Sequence, residues 1–420
     1  MISDEQYRYL SEAGFTKALA LYEGRNGGSE MQDMNDKANI DALQALAHAE
    51  TYGIEYYVLH SYFYNFFRQE EAKTYDEATY RALMESIFSG KNPYLDHPAF
   101  AGNFAADEPN FTEIERVYYQ VLIYNEMMQK YADNGGEAFV NLLPYEGVNA
   151  SVRVKYEAYL TYYFEYIAPL LGYVSYDHYP LNYSGEGDTW QNEVSETHLL
   201  NLELMAQLCK KHGVELRTFI WARTNDSSSG HRAVQNANDL RFQIYSNMAF
   251  GSKEMTYFMY CDYYVKGTGS STTLIDSQTG ERTQLYYWAQ EANNEVHAME
   301  DAFLNFTWDS VTVYDTGATC KQLSLLEKDV ALKDAISSVS SNADLLIGNF
   351  IGKDGEDGFL VMNYTDPYGV EEAQTVALTF NGAAKAAVYF GGEKKVVELV
   401  NGVCTLTLEA GAGAFIVPLA

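Results

Sequence analysis

The hydrophobic pattern alternates between two periods along the first 305 residues. Short apolar runs, typical of buried strands, are separated by longer stretches in which apolar positions recur every three or four residues, as in amphipathic helices. We predict strands at 15–22, 54–60, 100–108, 138–144, 173–179, 214–222 and 255–261. We predict helices at 3–13, 39–52, 75–88, 114–132, 152–171, 195–212, 233–250 and 283–304.

This alternation predicts right-handed βαβ crossovers and a parallel sheet. It favours an α/β fold of the (β/α)8 TIM-barrel type over an open doubly wound sheet. The sequence has no Gly-rich phosphate-binding loop that would favour the doubly wound sheet. The chain begins on a helix that Ser3 is expected to cap, so the barrel apparently lacks its first strand. With that strand counted, the segment 100–108 is strand four and 173–179 is strand six.

After residue 305 the pattern changes to short, often alternating segments separated by Gly, Asn and Asp turns. Such a pattern predicts an all-β sandwich domain of antiparallel strands. We therefore expect a barrel at 1–305 and a sandwich at 306–420 that buttresses it. The expected sandwich strands are 310–314, 345–350, 358–364, 376–380, 387–390, 395–399, 404–408 and 414–419.

The amino-acid composition limits the classes of molecule that the protein is expected to bind. The chain has 58 acidic and 28 basic residues and a formal net charge of -30, which disfavours nucleic acid and anionic membrane surfaces. No stretch is apolar over the length of a bilayer span. The four cysteines match no metal-ligand spacing, so we predict four free thiols and no metal or cofactor. Its 36 tyrosines suit surfaces that stack on sugars, although many are expected to fill the core.

The predicted strand at 100–108 ends in two adjacent acids, Asp107 and Glu108, followed by Pro109. A carboxylate pair at the end of a buried apolar strand is seldom there for packing, and active sites of barrels lie at that end. Asp177 ends strand six in an aromatic setting, two strands away. Glycosidic hydrolysis needs two carboxyl groups, so Glu108 and Asp177 are the candidate catalytic pair.

These features together resemble a glycoside hydrolase: the barrel, the Asp107-Glu108-Pro109 terminus, the run Tyr176-Asp177-His178-Tyr179-Pro180, and the trailing sandwich. The similarity is to the bacterial clan whose acid/base Glu follows Asn at the end of strand four. The resemblance implies that Glu108 is the acid/base. In that clan the nucleophile is a Glu at the end of strand seven, whereas 214–223 has only Glu215, at the wrong end, and Asp107 replaces the usual Asn.

Two alternatives stay open. The pair Asp107-Glu108 also resembles that of substrate-assisted N-acetylhexosaminidases, in which Asp orients the 2-acetamido group and Glu donates the proton. Adjacent residues on a regular strand point to opposite sides, so this mechanism requires the strand terminus to bend. The other alternative is a carbohydrate-binding barrel without catalytic activity.

Further candidates follow from their positions at the ends of the predicted strands. They are expected to bind the carbohydrate substrate by stacking or hydrogen bonding. These candidate substrate-binding residues are Glu23, His60, Glu146, Tyr179, Trp221, Arg223, Tyr260 and Asp262. The segment 182–192 is expected to be a loop at the rim. Secretion or a cell-surface location is favoured over the cytoplasm, and the oligomeric state is left open.

Overall fold

Parallel strands and helices make up the first part of the chain, and antiparallel sheets make up the rest. The computed structural model describes residues 2–19, 31–60, 62–73, 76–89, 92–145, 150–184, 191–225, 230–261, 272–317, 323, 326, 332–370 and 372–420. Contacts divide the chain into two units, Met1–Tyr176 and Asp177–Ala420. The expected domain boundary at residue 305 stays a prediction.

The described helices follow the predicted pattern closely. They are α1 (Asp4–Glu12), α2 (Met31–Thr51), α3 (Glu70–Lys73), α4 (Glu77–Phe88), α5 (Ile114–Tyr131), α6 (Ala150–Tyr162), α7 (Ala168–Leu171), α8 (His198–His212), α9 (Ala237–Ala249) and α10 (Gln284–Phe303). A π-helical turn, Tyr163–Ile167, joins α6 to α7 where one helix was predicted. Ser3 caps α1 as predicted, because its hydroxyl accepts the Gln6 N–H at 3.4 Å.

Seven strands in the described ranges form the parallel sheet, in the order β1–β2–β3–β4–β5–β8–β9. Their bounds, together with those of the hairpin formed by β6 and β7, are β1 (Lys17–Leu19), β2 (Glu55–Val58), β3 (Phe100–Asp107), β4 (Glu137–Leu142), β5 (Tyr173–Asp177), β6 (Leu181–Ser184), β7 (Gln191–Val194), β8 (Glu215–Trp221) and β9 (Ser252–Phe258). The predicted TIM-type arrangement with seven strands is confirmed. Of the segment 182–192, predicted as a loop at the rim, residues 182–184 and 191–192 lie in the paired strands β6 and β7, and residues 185–190 lie outside the described ranges.

In the first unit, β3 lies between β2 and β4 and is buried over most of its length. Its one strongly polar side chain before the terminus, Asn103, donates to Val58 O at 3.1 Å and accepts from Tyr124 Oη at 3.1 Å. Gly102 has a φ of +153°, and a Cβ atom there would lie 1.9 Å from Glu137 O. Glycine is therefore required where β3 and β4 approach each other.

In the second unit, an antiparallel sandwich follows the last barrel helix. Its strands are β10 (Phe306–Tyr314), β11 (Ile336–Ser341), β12 (Leu345–Gly352), β13 (Asp357–Asn363), β14 (Gln374–Phe380), β15 (Lys385–Phe390), β16 (Glu393–Glu398), β17 (Val403–Leu408) and β18 (Gly413–Leu419). One sheet has the order β10–β12–β13–β18–β15–β16 and the other β11–β14–β17. The predicted β-sandwich is confirmed. Sequence reasoning missed β11, because its run of serines lacks an apolar pattern.

Helix α9 is buried on nearly every side, since β8 and β9 lie on one side of it and β12 and β13 on the other. Small residues allow this close approach. A Cβ atom at Gly348 would lie 2.4 Å from Ala249 O, and one at Gly413 would lie 2.7 Å from the Tyr245 ring. Trp308 Nε1 donates to Ala249 O at 3.0 Å, which gives the last carbonyl of α9 a hydrogen-bond partner.

Candidate active site

Strand β3 ends at Asp107, and the chain turns at Glu108. Glu108 has a φ of +47°, in the left-handed region that residues other than glycine seldom occupy. The Asp107 side chain is half-buried and that of Glu108 is exposed. The terminus therefore bends between the two acids, so the strict alternation of a regular strand does not extend to Glu108.

The Asp107 carboxylate is fixed by two donors. Tyr64 Oη donates to Oδ2 at 3.1 Å, and Asn141 Nδ2 donates to Oδ1 at 3.4 Å. Asn141 Oδ1 in turn accepts the Ser175 hydroxyl at 3.2 Å. In the sheet register Asn141 is the partner of both Asp107 and Ser175. Polar residues of β3, β4 and β5, namely Asp107, Asn141 and Ser175, thus form one hydrogen-bonded row.

The loop after β2 is attached to β3. Asn65 adopts a left-handed conformation, its N–H donates to Ala105 O at 2.8 Å, and its Oδ1 accepts the Asp107 N–H at 2.8 Å. The buried Gln120 side chain donates to Phe63 O and to Ala105 O, both at 3.0 Å. These bonds place Tyr64 against the carboxylate of Asp107.

His60, a predicted substrate-binding residue, is completely buried. Its ring lies 6.3 Å from that of Phe88, and burial lowers the pKa of His60 to about 4. In the part of the chain that the structure describes, neither ring nitrogen has a hydrogen-bond partner. The imidazole is therefore neutral at physiological pH. Its role in substrate binding stays a prediction.

Asp177 is the last residue of β5, and its side chain is half-buried. The neighbouring His178 is buried, and its Nε2 lies 3.0 Å from Thr197 Oγ1. The His178 ring stacks on His198 at 5.5 Å between centroids, and His198 Nε2 lies 2.9 Å from Ser246 Oγ. Burial lowers the pKa of His178 to about 3 and that of His198 well below its usual range. Both rings are neutral at physiological pH.

Four rings cluster in the second unit. Tyr179 lies 5.4 Å from Trp221, 5.1 Å from His231 and 6.0 Å from Phe258, measured between ring centroids. Arg223 Cζ lies 5.8 Å from the Trp221 ring. The structure thus brings together three predicted residues, Tyr179, Trp221 and Arg223. Trp221 is nearly buried, whereas Phe258 is 36% exposed.

Sequence reasoning missed two members of this cluster. His231 ends the Ser-rich segment 224–231, whose composition is typical of a rim loop and does not indicate a binding residue, and its Nδ1 lies 2.8 Å from Asn182 Oδ1. Phe258 is the last residue of β9. The strand was predicted to run to residue 261, so the choice of residues at its end fell on Tyr260 and Asp262 instead.

The remaining predicted residues are placed as follows. Tyr260 is buried, and its carbonyl accepts the Ile275 N–H at 3.0 Å. Glu23, Glu146 and Asp262 lie outside the described residues.

The described ranges contain neither a metal-binding cluster nor a membrane-spanning helix. No group of three His, Cys, Asp or Glu side chains there could hold a metal ion. No helix among them is both long and apolar enough to cross a membrane. Cys209, Cys261 and Cys404 are buried and form no disulfide within these ranges, and Cys320 lies outside them.

No protein-family model matches the chain, and no curated protein matches it. Solved structures match over nearly its whole length. A β-galactosidase from Bacillus circulans sp. alkalophilus has a TM-score of 0.59 at 9% identity, covering 99% of this chain and 96% of that one. A glycoside hydrolase has a TM-score of 0.55 at 13% identity, with coverages of 99% and 89%. A β-L-arabinopyranosidase from Geobacillus stearothermophilus, in complex with arabinose, has 0.50 at 8% identity, with 100% and 94%.

This chain has the fold of these glycoside hydrolases. The likeness spans the barrel and the sandwich, so it confirms the architecture predicted from the sequence. At such identities it establishes the fold, and function must be argued from the residues of this chain.

Proposed function

We propose that the protein is a glycosidase that hydrolyses O-glycosidic bonds of an oligosaccharide or glycan, with Glu108 as the general acid. The observation that carries this proposal is the terminus of β3, where Asp107 is fixed by Tyr64 and Asn141 and the chain bends to expose Glu108. Catalytic groups of TIM barrels lie at the carboxyl ends of the strands. The fold shared with glycoside hydrolases supports the same chemistry.

In the proposed reaction, Glu108 donates its proton to the glycosidic oxygen as the bond to the anomeric carbon breaks. A second carboxylate attacks that carbon or activates the water that does. We propose Asp177 for this role because it ends β5, two strands along the sheet from β3. A carboxyl separation of about 5 Å gives retention of configuration, and one of about 6.5–9.5 Å gives inversion.

Substrate assistance is the second candidate mechanism, and one observation favours it. The bend at Glu108 removes the requirement that adjacent acids point to opposite sides. Asp107, held by Tyr64 and Asn141, would then orient a 2-acetamido group while Glu108 protonates the leaving oxygen. The substrate would be an N-acetylhexosaminide, and no carboxylate nucleophile is needed.

We propose that the ring cluster of Tyr179, Trp221, His231 and Phe258 provides a face on which a sugar stacks. Aromatic rings with a polar edge combine apolar contact with hydrogen bonding. The half-buried Arg223 guanidinium beside Trp221 adds donors for sugar hydroxyls.

The test is Glu108→Gln, assayed on a panel of chromogenic glycosides, with ligand binding measured by calorimetry. We expect a loss of about 100-fold to 10,000-fold in rate with binding retained, since general acid catalysis typically contributes that much. Glu12→Gln, an exposed substitution on α1, is the matched control and should keep wild-type activity. A wild-type protein that binds the sugars but hydrolyses none would instead be a carbohydrate-binding barrel.

The two mechanisms are separated by a thiazoline analogue of the acetamido intermediate and by azide. Strong inhibition by the thiazoline, with full activity in Asp177→Gly, would favour assistance by the substrate. Rescue of an inactive Asp177→Gly variant by azide, giving a glycosyl azide of inverted anomeric configuration, would support Asp177 as the nucleophile.

A further inference from the structure

The backbone of Glu108 is held by groups outside its own strand. Its N–H donates to Asn141 O at 2.9 Å, and its carbonyl accepts a hydrogen bond from Arg68 Nη2 at 2.8 Å. Its φ of +47° is one that a residue with a side chain keeps only where its surroundings impose it. The two bonds supply that constraint, one on each side of the Glu108 Cα atom.

Arg68 is itself fixed in place. Its Nε lies 3.4 Å from Glu113 Oε1 and its Nη2 lies 3.3 Å from Glu113 Oε2. Glu113 Oε2 also accepts the Asn110 N–H at 2.9 Å, and Glu113 is only 12% exposed. The guanidinium carbon lies 4.9 Å from the centre of the Phe67 ring. The pair Arg68–Glu113 therefore joins the loop after β2 to the turn that follows Glu108.

The chain that carries Arg68 is also attached to β3. Arg68 ends a 3-10 helix, Phe66–Arg68, and its N–H donates to Asn65 O at 2.9 Å. The Phe67 N–H donates to Gln120 Oε1 at 3.1 Å, and the same side chain donates to Ala105 O on β3. The 3-10 helix that carries Arg68 is thus linked by hydrogen bonds to β3, the strand that precedes Glu108.

We propose that Arg68 is a positioning residue for Glu108, acting through the carbonyl of Glu108 and held by Glu113. The inference rests on the proposed function, in which Glu108 is the general acid. Without the Arg68 bond the Glu108 backbone can leave the left-handed region, and its carboxyl group moves with it. The rate of proton donation should fall, because a misplacement of about 1 Å can lower a rate by about 100-fold. Substrate affinity should be kept.

The test compares two substrates with the same sugar, one with a poor alkyl leaving group and one with a 2,4-dinitrophenyl leaving group. Only the alkyl leaving group needs protonation to depart. For Arg68→Met we expect kcat on the alkyl glycoside to fall by about 10-fold to 100-fold with KM unchanged. The kcat/KM on the dinitrophenyl glycoside should be nearly that of the wild type, because this leaving group departs without receiving a proton. Arg68→Lys, which keeps a cation and a donor, should recover part of the loss.

Arg81→Met is the matched control. Arg81 forms ion pairs with Glu77 and Glu126 and is exposed to a similar extent, 37% against 41% for Arg68. This control should leave the alkyl kcat and the dinitrophenyl kcat/KM unchanged. Glu113→Gln keeps Arg68 but weakens its anchor, so it should give a smaller loss that is again confined to the alkyl glycoside. It also tests the inference if Arg68→Met fails to fold.

Glu108→Gln is the reference variant that distinguishes failure of the positioning role from failure of the proposed function. If it loses the alkyl activity selectively and neither Arg68→Met nor Glu113→Gln does, the positioning role is overturned while the proposed function stands. If Glu108→Gln hydrolyses the alkyl glycoside at the wild-type rate, both the proposed function and the positioning role are overturned. Equal losses on both substrates in Arg68→Met, matched by lost near-ultraviolet circular dichroism, would show a purely structural role and overturn the inference.

Discussion

Asn141 stands opposite Asp107 in the register of β3 and β4, and its side-chain amide donates to Asp107 Oδ1 at 3.4 Å. The same Asn141 contributes its carbonyl to the Glu108 N–H at 2.9 Å. One residue of β4 therefore fixes the side chain of the first acid and the backbone of the second. The geometry of the acid pair depends on sheet register as well as on its own strand.

Tyr64→Phe tests the hydrogen bond to Asp107. The substitution removes the hydroxyl that donates to Oδ2 at 3.1 Å and leaves the ring in place. A hydrogen bond to a charged group contributes about 1.5–3 kcal/mol, so we expect kcat/KM to fall by about 10-fold or more. The measurement is steady-state kinetics on the best glycoside found. Tyr62→Phe, in the same loop, is the control, and equal losses in both variants would contradict the assignment.

Tyr179→Ala tests the ring cluster as a sugar-binding face. Aromatic contacts contribute about 0.5–1.5 kcal/mol each, so we expect KM to rise by about 2-fold to 10-fold, with a smaller change in kcat. Tyr179→Phe keeps the ring and should retain most of the affinity. Quenching of tryptophan fluorescence by the sugar should be weaker in the alanine variant. Unchanged KM and quenching would show that no sugar stacks there.

Buried histidines predict loss of stability in acid. Burial lowers the pKa of His60 to about 4, below the value of about 6.5 in an unfolded chain, so the unfolded state binds a proton that the folded state does not. The contribution of His60 is complete above pH 6.5 and is lost as the pH falls from about 6.5 to 4, at up to about 1.4 kcal/mol per pH unit. Urea unfolding at several pH values measures this slope.

His60→Leu should flatten that slope, because the buried site then has nothing to protonate. His212→Leu, at the half-buried end of α8, is the comparison variant, and a change of slope shared by both variants would not be specific to His60. An unchanged acid slope in His60→Leu would rule out His60 as a source of the acid sensitivity.

Arg232 provides a test of packing in the second unit. Its guanidinium, 1% exposed, pairs with Asp239 on α9 at 2.9 Å and with Asp366 after β13 at 2.6 Å. Removing one partner of a buried ion pair costs about 3–5 kcal/mol, so Arg232→Met should lower the free energy of unfolding by that amount. Arg81→Met, which breaks surface pairs, should cost about 1 kcal/mol or less. Unfolding of both variants in guanidinium chloride measures this difference in stability, and equal losses of free energy would contradict the prediction.

Much of the fold was accessible from the sequence because the hydrophobic pattern is strong. The apolar run of β3 and the acids at its end predicted where Asp107 and Glu108 lie, and Ser3 predicted the start of α1. The row formed by Asn141 and Ser175 was not predicted. Which residues stand side by side depends on register, which a single strand does not encode.

A signal for that row was nevertheless present. Asn141 and Ser175 are buried polar residues within the mostly apolar strands β4 and β5. A buried polar residue within such a strand needs a hydrogen-bond partner. Tyr64 and Arg68 could not be found this way. They lie in a loop whose path is fixed by the left-handed Asn65 and by Gln120 on α5, which is distant in sequence.

The most direct test of the central claim is the pH dependence of kcat/KM on an alkyl glycoside, for the wild type and Glu108→Gln. The wild type should lose activity on the alkaline side as the general acid loses its proton. Glu108→Gln should be slower by about 100-fold to 10,000-fold and should lack that alkaline limb. A Glu108→Gln variant with the wild-type rate and the same alkaline limb would contradict the assignment of Glu108 as the acid.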